Sequence, residues 1–192
     1  MERELVMSGI GGQGVQLAAT VLAAAAHAEG LEVQLFGSYG GMMRGGATEA
    51  TVVFATSAIE APPTLGSSWS VVLMHGDYAE HALGCLRPGS VLLLNSSVVQ
   101  QVTVPDGVTV VELPATTIAS ELGHPMAASL VMAGAYAAAT GVVGLAALTT
   151  AVAESLPPYR SQHRARNEAA VGAGAAAVPP LVAAAWPVEV GR

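Results

Sequence analysis

Arg3-Glu-Leu-Val-Met-Ser-Gly-Ile-Gly-Gly-Gln-Gly-Val-Gln-Leu-Ala18 decides how the rest of this chain is read. Arg3–Ser8 reads as a short strand. Gly9, Gly11 and Gly14 follow in a G-x-G-x-x-G spacing. Val15–Glu29 then forms a helix rich in alanine and leucine, closed by Gly30 as a C-terminal cap. Strand, glycine turn and helix in this order are the context in which the pattern cradles phosphate. Glycine permits positive φ and lets the backbone approach a ligand, while the free N–H groups and dipole of the helix favour an anion. A tight strand-to-helix turn also wants glycine, so the spacing alone leaves both readings open.

Working outward, Glu32–Phe36 alternates as a second strand, and a glycine-dense loop, Gly37–Gly46, leads to a third at Thr48–Ala55. Loop signals at 61–68 precede a buried strand, Ser70–Met74. Tyr78–Leu86 is helical, ended by Arg87-Pro-Gly89, the usual punctuation before a strand. Val91–Leu94 and Thr109–Leu113 supply two more strands, and the pattern is helical from Thr116 to about Ala177. This order predicts an α/β fold: a single three-layer domain with a largely parallel sheet and a helical C-terminal third. It occupies residues 1–177, and 178–192 is a Pro- and Ala-rich tail expected to be loosely held.

Composition excludes several classes. The chain has 192 residues, 14 acidic and 7 basic side chains, and a formal charge of −7, which argues against nucleic-acid or anionic-membrane surfaces. All seven basic residues are arginine, so lysine chemistry is absent. The one cysteine, Cys85, forbids an internal disulfide, a Cys-rich zinc site or an iron–sulfur cluster built from this chain alone. With 37 alanines and only 11% charged residues, the surface is an awkward one for a lone soluble protein. The N-terminus shows no basic, apolar and small-residue series of a signal peptide, and a cytoplasmic location is expected. Pro125–Ala153 is uncharged and long enough to span a bilayer, but it is mostly Ala, Gly, Thr and Ser with Tyr136 in the middle and no basic flank. Two buried helices broken near Thr140-Gly141 are expected, and Gly134 and Ala138 would let helices approach closely.

A dinucleotide site wants an acid at the end of the second strand to hold the ribose hydroxyls. Here that strand runs into Phe36-Gly37-Ser38-Tyr39, and the nearest acid, Glu32, lies at its beginning. Nor is there a P-loop, because no lysine follows the glycines. The second glycine cluster, Ser38–Gly46, should emerge at the same sheet edge as the first. Its Arg44, the only basic residue between Arg3 and Arg87, suits bidentate contact with phosphate or carboxylate; the plainer reading is a solvated arginine among turn glycines, but the run is too long for one turn. Met42 and Met43 offer adaptable apolar surface to a partner.

His27, His75, His81, His124 and His163 lack metal-ligand spacing, so no metal site is expected, and His75, Asp77 and His81 form only a loose cluster. Cys85 reads as a small buried hydrophobe. Arg160, His163, Arg164 and Arg166 form a basic patch near a helix start, read as a solvated face before an acidic partner's contact or a phosphate's. No catalytic residue is expected on this chain.

The paired segments Gly9-Ile-Gly-Gly-Gln-Gly14-Val15 and Ser38-Tyr-Gly-Gly-Met-Met-Arg-Gly-Gly46 resemble the gamma subunit, or gamma domain, of the 2-oxoacid:ferredoxin oxidoreductases. That family acts on pyruvate, 2-oxoglutarate, branched-chain 2-oxoacids and indolepyruvate. The likeness continues through Asn95-Ser-Ser97, Leu113-Pro-Ala115 with Ile118-Ala119, Val131-Met-Ala-Gly-Ala135 and Asn167, covering roughly Glu4 to Gly174. The family often has Asn where this chain has His124 and Ser129, a larger residue at Ala133, and an acid where Trp69 or Ser70 stands.

The resemblance implies a subunit rather than a self-sufficient enzyme. Thiamine diphosphate and iron–sulfur clusters are expected on partner alpha and beta subunits, with a ferredoxin-like subunit and a homodimer contact as further possibilities. This chain is expected to contribute coenzyme A binding through Gly9, Ile10, Gly11, Gly12, Gln13, Gly14, Ser38, Tyr39 and Arg44. The alternatives are a stand-alone nucleotide- or CoA-binding module that self-associates, and a scaffold that kept the fold and lost the site.

Overall fold

The computed structural model describes residues 1–39, 45–62, 64–156 and 162–187, with the side chain of Tyr39 not included. The strands are β1 (Glu2–Ile10), β2 (Glu32–Tyr39), β3 (Ala47–Ala55), β4 (Ser68–Leu73), β5 (Leu86–Asn95) and β6 (Thr109–Leu113). The helices are α1 (Val15–Ala28), α2 (Glu80–Gly84), α3 (Ala115–Glu121), α4 (Ala128–Thr140), α5 (Leu145–Glu154) and α6 (Arg164–Ala176), with a short 3-10 turn at Pro125–Ala127.

The strands make one six-stranded sheet in the order β2-β3-β1-β4-β5-β6. β1, β4, β5 and β6 pair in parallel, whereas β3 lies antiparallel to both β1 and β2. One strand therefore runs against the other five, and the sheet is mostly parallel, as expected. The loop joining β2 to β3 is too short for a crossover, so the chain turns straight back into a ladder.

Both faces of the central strands β1, β3, β4 and β5 are buried along most of their length, which is why these read as apolar runs. Leu5, Met7, Val52, Phe54, Val72 and Leu93 pack under α1, α3, α4, α5 and α6. Val6, Val53, Val71, Leu73, Leu92 and Leu94 pack under the short α2 and irregular segments around Leu65 and Val99. Among the described residues this thinner second core takes no member from β2, whose Phe36 on that face is exposed.

Helix α4 lies at the centre of the thick layer, with twelve of its thirteen residues buried. It crosses α6 by a reciprocal glycine contact. A Cβ at Gly134 would strike the Val171 carbonyl, and one at Gly174 would strike the Val131 carbonyl. Each glycine thus sits over the carbonyl of the valine three residues before the other. The close approach expected of Gly134 is present, with Gly174 rather than Ala138 completing it. Gly141, at φ 62°, ends α4 where the helix was expected to break. No helix of the described residues is long and apolar enough to cross a membrane.

The tail is not loose where it is described. The N–H groups of Leu181, Ala183 and Ala185 donate to the Ala138, Ala139 and Thr140 carbonyls at 2.9, 3.1 and 2.7 Å. Trp186 Nε1 donates to the Val142 carbonyl at 3.1 Å, and Arg3 Nε donates to the Ala185 carbonyl at 2.6 Å. The cause is the C-terminus of α4, whose last carbonyls lack intrahelical donors and are buried, so the tail supplies them. Several boundaries also differ from expectation: β1 runs on to Ile10, and β2 continues through Gly37 and Ser38 to Tyr39, where a loop was expected. α2 starts only at Glu80, because Tyr78 takes a left-handed φ of 63°. Arg87-Pro-Gly89 belongs to β5 rather than preceding it, with Gly89 N–H donating to the Gly107 carbonyl at 2.8 Å.

Substituting Gly134→Ala or Gly174→Ala should destabilise the chain by about 1–3 kcal/mol or more, since backbone rather than a side-chain tip would have to move. Gly172→Ala, on the same helix but with open space around it, should instead stabilise by about 0.5–1 kcal/mol. Urea-denaturation midpoints of the three variants test the pair of expectations together.

Candidate functional site

The two glycine segments meet. Beyond the last β1–β3 pair, Ile10 with Ala47, Gly11 N–H donates to the Gly46 carbonyl at 2.8 Å and Gly45 N–H donates to the Gly11 carbonyl at 3.1 Å. The ladder thus continues past its strands and fastens the first loop to the end of the second, at the carboxyl edge of β1.

Each glycine of the first loop is needed for a different reason. A side chain at Gly9 would meet Gln13 Oε1, Met74 Cβ and Val15 Cγ2 at 2.7, 2.9 and 3.0 Å, so this position is glycine for packing. Gly12 has φ 104° and nothing within 4 Å of its missing Cβ, so it is backbone turned toward open space. Gly14, at φ 80°, is the N-cap of α1, and a Cβ there would lie 2.5 Å from Ser129 Oγ.

Gln13 works inside the loop rather than outward. Its Oε1 accepts from the Ile10 N–H at 3.0 Å, its own N–H donates to the Ile10 carbonyl at 3.1 Å, and its Nε2 donates to the Met74 carbonyl at 3.4 Å. Ile10 is thereby spent on both its backbone groups. The first helical bond of α1 runs from Ala18 N–H to the Gly14 carbonyl at 3.0 Å. Val15, Gln16 and Leu17 consequently begin the helix with N–H groups that have no partner a turn below, no side chain caps them, and no acid lies in the first turn. An uncapped, uncompensated positive helix end beside an open glycine is a fit receptor for phosphate.

Three further groups support this edge. Gln16 Nε2 donates to Thr48 Oγ1 at 3.3 Å and to the Glu49 and Ser38 carbonyls at 2.8 and 3.5 Å, tying α1 to β3 and β2. It also explains Gly37, whose Cβ would fall 2.5 Å from Gln16 Oε1. Gln16 drew no attention in the sequence because a glutamine on an exposed helix turn carries no pattern. Asn95, fully buried at the end of β5, accepts from the N–H groups of Ser97 and Thr116 and donates to Thr116 Oγ1 at 2.9 Å, bracing the start of α3. Ser129 is 1% exposed, and its Oγ has no partner among the described residues.

Other expected features fall as follows. Ser38 lies on β2 with its carbonyl held by Gln16. The side chain of Tyr39, and all of Met42, Met43, Arg44 and Arg160, lie outside the described residues. His81 pairs with Glu49 at 3.0 Å, apart from His75, which lies 3.8 Å from Asp77. His124 Nε2 meets Asn167 Oδ1 at 3.1 Å and its ring stacks on His163 at 5.9 Å, a structural pairing, while His163 Nδ1 is buried with no hydrogen-bond partner among the described residues. Arg164 pairs with Glu168 one turn on. Burial first, and then the charge of Glu49, push the Cys85 thiol up, which keeps it an inert, protonated core group.

Comparison with known proteins follows the same outline. The model of the pyruvate ferredoxin/flavodoxin oxidoreductase family matches residues 4–177. The 2-oxoglutarate synthase subunit KorC of Methanocaldococcus jannaschii is 33% identical over 163 residues, covering 82% of this chain and 85% of that protein. The crystal structure of the gamma subunit of a keto/oxoacid ferredoxin oxidoreductase from Geobacter sulfurreducens PCA aligns with a TM-score of 0.75 at 27% identity, covering 91% of this chain and 96% of the other. The fold also recurs in 2-oxoglutarate:ferredoxin oxidoreductase from Magnetococcus marinus, solved with 2-oxoglutarate, coenzyme A and succinyl-CoA bound. There the TM-score is 0.83 at 19% identity, over 93% of this chain and 32% of that one. Matched from its first strand to its last helix, the chain belongs to the pyruvate ferredoxin/flavodoxin oxidoreductase family and corresponds to its gamma subunits.

Proposed function

We propose that this chain is the coenzyme A-binding, non-catalytic subunit of a cytoplasmic 2-oxoacid:ferredoxin oxidoreductase. The complex converts a 2-oxoacid and coenzyme A to an acyl-CoA and carbon dioxide, with two electrons leaving to ferredoxin. The names of the curated relatives support 2-oxoglutarate as the acid. The observation that carries the reading is the Gly11–Gly46 exchange, which sets two glycine segments beside the uncapped N-terminus of α1.

The residues fit a diphosphate. The backbone of Gly12 and Gly14 and the first N–H groups of α1 would receive it, and Arg44 would add a bidentate cationic contact. Ser38 and Tyr39, at the end of β2, would border the same ligand. Gly9, Ile10, Gly11 and Gln13 hold the loop in shape rather than touch what it binds. Bound coenzyme A supplies the thiol that accepts the acyl group; this chain's part is to seat and orient its phosphates. Thiamine diphosphate and the iron–sulfur clusters would reside on alpha and beta partner subunits, a division supported by a lone, buried Cys85.

Two measurements test this. In the assembled oxidoreductase, Arg44→Ala should raise the KM for coenzyme A by about tenfold or more, the loss of a charge-assisted bond, and leave the KM for the 2-oxoacid in place. Ferredoxin-reduction kinetics at varied coenzyme A read it, and an unchanged coenzyme A dependence would sink the assignment. Gln13→Ala should cost about 1 kcal/mol of stability and speed amide exchange at Ile10, which loses its acceptor. It should also weaken coenzyme A several-fold, because the loop is no longer held ready.

A further inference from the structure

On the thin side of the sheet, at its β2 end, an open cleft of about 610 Å³ lies outside the glycine loop. Its floor is set by strand register. Glu49 on β3 stands opposite Ser8 of β1 and Ser38 of β2, so Ser8, Glu49 and Ser38 form one row across three strands. The next row, opposite Thr51, holds Val6 and Phe36. Tyr78, His81, Thr64 and Leu65 form the walls.

Three properties distinguish this cleft from an ordinary dip in the surface. First, Glu49 is sheltered and oriented. Its side chain is only 21% exposed, and His81 Nδ1 lies 3.0 Å from Oε2, which leaves Oε1 free to accept. Second, two aromatic side chains, Phe36 and Tyr78, are 48% and 53% exposed at its mouth, where rings of this size usually seek cover. Third, Tyr78 holds a left-handed φ of 63°, a conformation unusual for a bulky residue, and Ser8 Oγ donates to its carbonyl at 3.4 Å.

We infer that this cleft binds a ribonucleoside. The free carboxylate oxygen of Glu49, flanked by the Ser8 and Ser38 hydroxyls, accepts the 2′- and 3′-hydroxyls of the ribose, and the base lies against the Phe36 and Tyr78 rings. In doubly wound nucleotide folds the ribose-holding acid comes from the end of the second strand. Here β2 has no such acid, and the neighbouring antiparallel strand brings one to the place beside it. Glu49 and Glu80 repel a phosphate on the ribose, so the site selects a nucleoside with both hydroxyls free. This distinguishes it from the coenzyme A contact proposed at the glycine loop, on which it does not rest.

The experiment titrates the full-length chain with adenosine and with 2′,3′-dideoxyadenosine by calorimetry, using wild type, Glu49→Gln and Phe36→Ala, with coenzyme A in a parallel titration. Adenosine should bind saturably, and the dideoxy analogue should bind at least about tenfold more weakly. Glu49→Gln should weaken adenosine by a similar factor and leave the analogue unchanged. Phe36→Ala should weaken both about equally. No saturable adenosine binding, as expected if the cleft serves instead to seat a partner subunit, overturns the inference. So does equal binding of the two nucleosides, or a Glu49→Gln loss shared by both. Should Glu49→Gln lower the melting midpoint, the wild-type comparison of the two nucleosides decides alone. Loss of coenzyme A binding with adenosine binding intact would remove the glycine-loop assignment and leave this one standing.

Discussion

Helix α4 turns no face to water, and the arrangement of the whole thick layer follows from that constraint. A helix apolar on every side has to be enclosed, and its backbone ends have to find partners inside the protein. On one side α6 comes close enough to exchange glycine-over-carbonyl contacts at Gly134 and Gly174, a distance of approach no larger residue permits. At the C-terminal end the stranded carbonyls of residues 138–140 take N–H groups from the tail, which is thereby stitched to the fold. In the middle the Tyr136 hydroxyl, wholly buried, meets Ser70 Oγ of β4 at 2.8 Å. Burial is the main cause that pushes this phenol far above its ordinary pKa, so it stays neutral and serves as a hydrogen-bonding strut. At the N-terminal end Ser129 abuts Gly14. One helix therefore holds the sheet, the tail and the underside of the glycine loop.

The sparse charges are distributed to match. At the amino edge of the sheet the Glu4 carboxylate accepts from the Trp69 N–H at 2.9 Å and from Arg87 Nη2 at 3.1 Å. Arg3 lies over the Trp69 ring at 4.8 Å while holding the Ala185 carbonyl. The half-exposed Glu4–Arg87 pair adds at most about 1 kcal/mol by itself. It joins β1 to the start of β5 and, through Arg87 Nη1 donating to Ser67 Oγ at 3.0 Å, to the loop before β4. Arg3, Arg87 and Arg164 are thus engaged within the chain. What remains is an alanine-rich, weakly charged exterior, suited to a component of a larger assembly, where apolar surface is covered by neighbours.

Much of the fold was legible because the signals were local. The strand–glycine–helix unit at residues 3–29, the strand at Thr109–Leu113 and the break at Gly141 each follow from periodicity or from a residue whose backbone preference admits few alternatives. What escaped was whatever depended on pairing at a distance. Arg87-Pro-Gly89 looks like punctuation until Gly107 is known to lie beside it. The tail looks unattached until the carbonyls of α4 are seen to lack donors. Gln13 reads as a ligand-facing residue because it sits inside the glycine motif, yet its side chain is consumed by Ile10 and Met74. Gln16, which carries no motif, turns out to join α1 to two strands.

The most consequential of these distant pairings is the reversed strand. The order of elements predicts a largely parallel sheet, and five strands oblige, but β3 returns between β2 and β1 in the opposite sense. Because it runs backwards, its first residues lie at the carboxyl edge of β1, and Gly46 arrives opposite Gly11 without any long connection. For the same reason Glu49, only three residues further on, falls between Ser8 and Ser38 rather than at the far end of the sheet. A parallel β3 would carry both to the opposite edge, separating the two glycine segments and removing the Glu49 carboxylate from the floor beside them. The chemistry available at this edge is therefore a product of strand direction as much as of residue type: the glycines leave backbone free at the start of α1, and the antiparallel insertion fastens the second segment beside it.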